Sequence, residues 1–274
     1  MISPDSALDG YMDASHIRGH FQADGAKRSG RVADDYRSRI YRRYLSARAS
    51  TLPQPIDDFK LRAAHLDKLI RLYFPHNRDA AILDLGCGPG ALIYAAKAAG
   101  YRHIQGVDRS AQQIQVARTI GIESLQQGDL LEAISSVADL SLDAVVTIDV
   151  IEHLQKYELA GLVDEVLRVL QPGGRWIIHA PNGGSPFCSR VRYGDFTHEL
   201  AFTRESLSQL LLSSGFGRVT CYEDGPAAHG VLSAARWLLW RGLRMLLRLW
   251  LAIETGESGG NCIFTQNLFA VAEK

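Results

Sequence analysis

The stretch Ile82-Leu83-Asp84-Leu85-Gly86-Cys87-Gly88-Pro89-Gly90-Ala91 carries an apolar run into three alternating glycines and then into residues with helical spacing. Glycines at such a turn let the backbone bend sharply and approach a ligand with no Cβ in the way. The next apolar run ends in Asp108, whose carboxylate can accept hydrogen bonds from both hydroxyls of a ribose. A third is followed by Gly128-Asp129-Leu130, where an Asp can accept from an adenine amino group with Leu130 against the ring. A fourth ends in Asp149-Val150-Ile151-Glu152-His153-Leu154. A second concentration of reactive types lies at Arg190-Val191-Arg192-Tyr193-Gly194-Asp195-Phe196-Thr197-His198-Glu199. A His flanked by carboxylates can be held in one tautomer and made more basic, so His198 is the candidate general base, oriented by Asp195 or Glu199. Arg190 and Arg192 suit an anionic acceptor, and His179 and Asn182 are further candidates at the end of the fifth run.

These residues need a frame that brings run ends together. From residue 81 to 181 the pattern alternates strand and helix. Strands are expected at Ala81–Leu85, His103–Asp108, Ser124–Gly128, Asp143–Asp149 and Arg175–Ala180. Helices are expected at Ala91–Ala99, Ala111–Thr119, Leu131–Ala138 and Lys156–Leu170. Such alternation demands a parallel sheet covered on both faces, with ligands at the carboxyl ends of the strands. Thr203 reads as the N-cap of a further helix ending at Gly215, and Arg218–Asp224 and Cys262–Ala272 read as the last two strands. The connection 182–202 is longer than most loops and is read as the acceptor loop. On the glycines and Asp108 alone a nicotinamide dinucleotide is admissible, since Gly86, Gly88 and Ala91 fit G-x-G-x-x-G/A. Asp84, ahead of the glycines, suits a cationic amino group better than a pyrophosphate.

Together, the glycine turn, Asp108, Gly128-Asp129 and the Asp149-to-Leu154 segment resemble the class I S-adenosylmethionine-dependent methyltransferases, over about residues 60–224. The resemblance implies a Rossmann-like, doubly wound, mostly parallel seven-stranded sheet with an antiparallel last strand. It also implies S-adenosylmethionine as cofactor. Asp84, Gly86, Cys87, Gly88 and Gly90 would hold its methionine end, Asp108 the ribose with Arg109 flanking, Asp129 and Leu130 the adenine. Asp149 would lie beside the sulfonium and the acceptor. A second resemblance, to methyltransferases of bacterial cell-surface polysaccharide clusters, rests on three groups of residues. They are Gly194–Glu199; Glu223-Asp224-Gly225-Pro226 with His229-Gly230; and Glu254-Thr255-Gly256 near Gln266-Asn267-Leu268. It implies O-methylation of a sugar hydroxyl on a surface glycan or its precursor, an acceptor that the two arginines would suit if anionic. Rival expectations are a small-molecule or lipid-ring O- or N-methyltransferase with the inserted helix as a lid, and a cofactor-binding scaffold.

Composition sets bounds on these readings. The 274 residues are 46% hydrophobic and 22% charged, which argues for a folded chain with a real core. Thirty Lys+Arg balance thirty Asp+Glu, so bulk charge gives no reason to expect nucleic acid. The four cysteines are widely spaced, so neither a disulfide framework nor a zinc knuckle is expected, and a cytoplasmic setting is the default. Asp195, His198 and Glu199 could bind a divalent metal but form no clear ligand set, so no metal is assigned. Residues 1–58 read as a basic, aromatic arm ahead of a methyltransferase domain at 59–274. Eight Lys/Arg against two Asp between Lys27 and Arg48 leave it a local +6. An Arg- and Trp-rich insertion, 225–260, separates the last two strands. In its helix, 231–253, the four arginines fall within an arc of about 140° at about 100° per residue. That composition suits either the inner face of a membrane or packing on the domain itself or a partner subunit with the arginines outward, and four arginines make a span expensive.

Overall fold

The computed structural model describes residues 39–41, 55–226, 230–256 and 261–274. Most of the expected basic arm therefore lies outside the described residues. The chain divides between Ile40 and Tyr41 into two units, and the sheet belongs to the second.

Seven strands form one sheet: β1 (Ala81–Leu85), β2 (His103–Asp108), β3 (Leu125–Gln127), β4 (Leu142–Ile148), β5 (Leu170–Pro181), β6 (Arg218–Glu223) and β7 (Asn267–Glu273). Their spatial order is β3-β2-β1-β4-β5-β7-β6, with β7 antiparallel to both neighbours and the other pairs parallel. The mostly parallel, doubly wound sheet is as expected; most bounds agree to within three residues, and larger differences lie in the last part of the chain. The fifth strand begins at Leu170, taking in the Pro172-Gly173-Gly174 turn as an irregularity in its register with β4. The last begins at Asn267 rather than Cys262, because residues 262–266 instead supply carbonyls to Asn182. The connection 182–202 contains a short helix, Cys188–Arg192.

Period-two side chains send Trp176 and Ile178 to one face of β5 and Ile177 to the other, so the sheet carries a core on each side. Helices α1 (Pro55–Tyr73), α2 (Ala91–Ala98) and α3 (Ala111–Thr119) cover one face through Leu69, Ile93 and Ile114. Helices α4 (Leu130–Ser135), α5 (Lys156–Val169) and α7 (Arg204–Ser213) cover the other through Ile134, Val166 and Leu207, and the short helix 188–192 is α6. Thr203 caps α7 as expected: its Oγ1 accepts from the Ser206 N–H at 3.2 Å, and the Ser206 hydroxyl answers at the Thr203 N–H.

The largest buried side chain, Trp176, is wholly enclosed, and its indole N–H donates to Thr147 Oγ1 at 3.0 Å. A buried donor stripped of its acceptor costs about 1–3 kcal/mol. Thr147→Val is therefore expected to lower unfolding free energy by that amount in urea denaturation. Adding Trp176→Phe, which removes the orphaned donor, should make the two losses less than additive; strict additivity would refute the pairing.

Candidate active site

The strand order reverses between β1 and β4, and the crevice above that point is where an open α/β sheet receives its ligand. The glycine turn leaves β1 there. The N–H groups of Gly86 and Cys87 both donate to the Val107 carbonyl, and the Gly88 N–H donates to Asp108 Oδ2 at 2.9 Å. Asp108 Oδ1 accepts from the Ser110 N–H at 2.8 Å. The turn and the carboxylate are thus fixed to each other by the backbone. Gly86 has φ +75°, and a Cβ on it would come within 2.4 Å of Val150. Gly88 has φ +54°, and a Cβ there would meet nothing within 4 Å. Open space beside a bare backbone is the cradle that an adenosyl-methionine group needs, so the residues present fit it.

Carboxyl groups crowd the crevice. Asp84 is enclosed, and burial, helped by the nearby Asp108, pushes its carboxyl up to about 8. Asp108 is also raised, by burial, against the pull of its two backbone donors. Cys87, within the turn, is buried, and burial raises its thiol far above the ordinary range, so it is no nucleophile. Asp129 is the N-cap of α4, its Oδ1 accepting from the Leu131 N–H at 2.9 Å, and Leu130 is that helix's first residue. Arg109 is exposed, its guanidinium 5.5 Å from the centre of the Tyr41 ring.

At the end of β4, Asp149 takes φ +55°, a left-handed conformation uncommon for a non-glycine residue. Its Oδ1 lies 2.7 Å from His179 Nδ1, and His179 Nε2 lies 3.3 Å from Asp224 Oδ2. Burial alone would lower the His179 pKa. The Asp149 carboxylate, joined by Asp224, outweighs it and raises it to about 10, so this imidazole is a fixed cation at neutral pH. Thinned hydration would raise Asp149, but the His179 charge and hydrogen bond overturn that and hold it below the usual carboxylate range. His65, on α1, stands 3.4 Å from Asp224 Oδ1, and burial lowers it against the pull of that carboxylate. The sequence reading missed His65. Its signal was a polar residue four positions before the buried Leu69, inside the apolar stripe of α1.

The connection 182–202 packs against the segment that follows Asp149. Asn182 donates to the Ile263 and Thr265 carbonyls, and the Glu199 and Leu200 N–H groups donate to the Glu152 carbonyl. Asp195 does not take the expected position beside the His198 ring. Its Oδ1 accepts from the N–H and hydroxyl of Thr197, whose Oγ1 lies 2.8 Å from His153 Nδ1. His198 Nδ1 instead lies 2.9 Å from the Val191 carbonyl, so the backbone orients this ring, which packs edge-on against His153 at 4.7 Å. Glu199 meets Glu152 through its backbone. Burial, then repulsion from His198, takes His153 down to about 4. Glu152 is enclosed, and burial, then Asp149, raises its carboxyl well above normal. Arg192 is not available to an anionic acceptor, because its guanidinium clamps the carbonyls of His198 and Glu199; Arg190 is exposed. Two trios, His65-His179-Asp224 and Glu152-His153-His198, each bring three potential metal-ligating atoms within 4.8 Å. A cationic His179 is a poor ligand for the first.

Residues 82–174 match the family described as "Methyltransferase domain". Residues 82–174 are therefore a methyltransferase domain. It is similar to a ubiquinone biosynthesis O-methyltransferase of Xylella fastidiosa, 34% identical over 109 residues, covering 38% of this chain and 42% of that protein. The chain thus matches less than half the length of that relative. Its fold is similar to that of a SAM-dependent methyltransferase from Archaeoglobus fulgidus, with a TM-score of 0.60 at 22% identity, covering 79% of this chain and 94% of that one. It is also similar to phosphoethanolamine N-methyltransferase 2 of Haemonchus contortus, crystallised with S-adenosyl-L-methionine, with a TM-score of 0.54 at 18% identity, covering 77% and 52%. The site described above is thus built into a methyltransferase fold.

A group whose folded pKa is raised stabilises fully below its unfolded value and loses that contribution as pH rises through the folded one. For His179 the window runs from about 6.5, the usual His value, to about 10. The stability advantage of the natural protein over His179→Gln should shrink across that window in denaturant titrations. A constant difference from pH 6 to 10 would contradict the imidazolium assignment.

Proposed function

We propose that this chain is an O-methyltransferase that uses S-adenosylmethionine to methylate a sugar hydroxyl of a bacterial surface glycan or its precursor. The observation that carries the methyl-transfer part is the glycine turn pinned to Asp108 beside the crevice where Asp149 emerges. Asp84 and the glycines would hold the methionine end, Asp108 the ribose with Arg109 at its border, and Asp129 with Leu130 the adenine. When bound, the cofactor supplies an electrophilic methyl group on a cationic sulfur.

The chain's own task is to hold the acceptor and take its proton, because a neutral alcohol is a poor nucleophile. His179, a cation, cannot accept a proton at neutral pH, and His153 is too weak a base. Our reading gives the proton to His198. With its Nδ1–H directed to the Val191 carbonyl, its Nε2 lone pair is left to receive a proton. Asp195 acts one step removed, through Thr197 and His153, and Glu199 anchors the loop. The glycan acceptor rests on the loop and strand-end motifs of the sequence.

Two observations favour second readings. Asp224 beside His65 makes a carboxylate-backed imidazole, an alternative base. Likeness to ubiquinone biosynthesis O-methyltransferases favours a lipid-ring hydroxyl as the acceptor. Methyl-labelled cofactor, offered with lipid-linked and nucleotide-linked glycans and with phenolic lipids, should label a glycan as a methyl ether. Labelling only of phenols would replace the acceptor class. His198→Ala should slow turnover by about 10²-fold or more while leaving cofactor affinity unchanged. Unchanged turnover there, with a loss of that size in His65→Ala, would move the base to His65.

A further inference from the structure

Helix α8 (Val231–Thr255) follows β6, and two of its four arginines turn toward the domain while two stay exposed. Arg244 points inward, its Nε 2.9 Å from Glu223 Oε2, and Trp240, Leu247 and Arg248 are half-buried. Leu232, Leu239, Leu246, Leu249, Trp250 and Ile253 face outward, 57–84% exposed. At about 100° per residue these six fall within an arc of about 100°. Arg236 and Arg241 are exposed on its borders, and the Arg241 guanidinium lies 4.8 Å from the centre of the Trp237 ring.

We propose that this face docks on an anionic lipid bilayer, with α8 lying in the interface. An apolar arc flanked by arginines and tryptophans matches an acyl layer beneath negatively charged headgroups. The charge pattern decides between occupants. Glu254 is the only acidic residue in the helix, so a second copy would offer mainly the same arginine-bordered surface. The helix lies on the bilayer rather than through it: no described helix is long and apolar enough to cross a membrane.

The topology gives this docking a consequence. β5 and β6 are both antiparallel to β7, so they run parallel and end at one edge of the sheet. Glu223, which holds Arg244, is followed directly by Asp224, which holds His179. The bilayer-facing helix is therefore anchored at the edge that carries the candidate active site. If the methyl-transfer reading holds, that edge suits an acceptor carried on a lipid.

The test is sedimentation of the full chain with extruded vesicles at low salt, with no activity readout, so its outcome is independent of methyl transfer. Vesicles of phosphatidylcholine with about one-third phosphatidylglycerol should carry down about tenfold more protein than phosphatidylcholine alone. Leu239→Glu with Leu246→Glu should lower that binding about tenfold, and Arg236→Glu with Arg241→Glu should abolish the preference for phosphatidylglycerol. Thermal unfolding would verify that each variant folds, as expected for changes at exposed positions. Absence of vesicle binding would overturn the proposal. So would equal binding by the leucine variant, or a dimer seen by light scattering that the leucine variant disperses while no vesicles are bound.

Discussion

Too many carboxyl groups meet at one crevice for all of them to stay ionised, and the site is organised around that constraint. Asp84 and Glu152 are buried, half-buried Asp108 lies near the first and Asp149 near the second, and removing a charge from water is costly unless it is paired. The protein resolves the conflict unevenly. Asp84, held up near 8 by burial, is largely neutral at pH 7, and burial raises the Glu152 carboxyl well above its ordinary range. Asp149 keeps its charge because His179 supplies a buried counter-cation that Asp224 holds from the other side. The crevice is thereby poised to receive a further positive charge, which is the chemistry of an ammonium or sulfonium rather than of a pyrophosphate.

Rigidity in the surrounding elements serves the same end. The glycine turn is bonded to Val107 and Asp108, so the ligand-facing backbone is set before any ligand arrives. After β5, buried Asn182 and the Arg192 clamp tie down a loop that has only one short helix of its own. His153 and His198 consequently stand against each other in fixed orientations, each with its Nδ1 already occupied. Such preorganisation limits the rearrangement needed when reactants meet.

Much of this was legible in the sequence, because it is local. Apolar runs gave the strands, Thr203 announced a helix start, and Asp84, Asp108 and Asp149 were identifiable as strand-end acids. Long-range pairings were not legible. Nothing local tells that His179 will meet Asp224, 45 positions away, or that Asp195 will prefer Thr197 to His198. The α8 arginines divide for the same reason: periodicity defines a stripe, but Glu223 draws Arg244 inward while Arg236 and Arg241 stay exposed. His65 was hidden in an apolar face, where an imidazole reads as core until its partner is known.

The central claim is that this crevice takes a cationic adenosyl ligand, and Asp84 provides a direct reporter. Held near 8 by burial, its carboxyl should ionise when an ammonium arrives beside it, releasing a proton at pH 7. Calorimetric titration of the full chain with S-adenosylmethionine, in two buffers of different ionisation enthalpy, measures that proton. The account expects binding with net proton release in the natural protein and release abolished in Asp84→Asn. Absence of binding, binding without proton release, or tighter binding of a nicotinamide dinucleotide would contradict it.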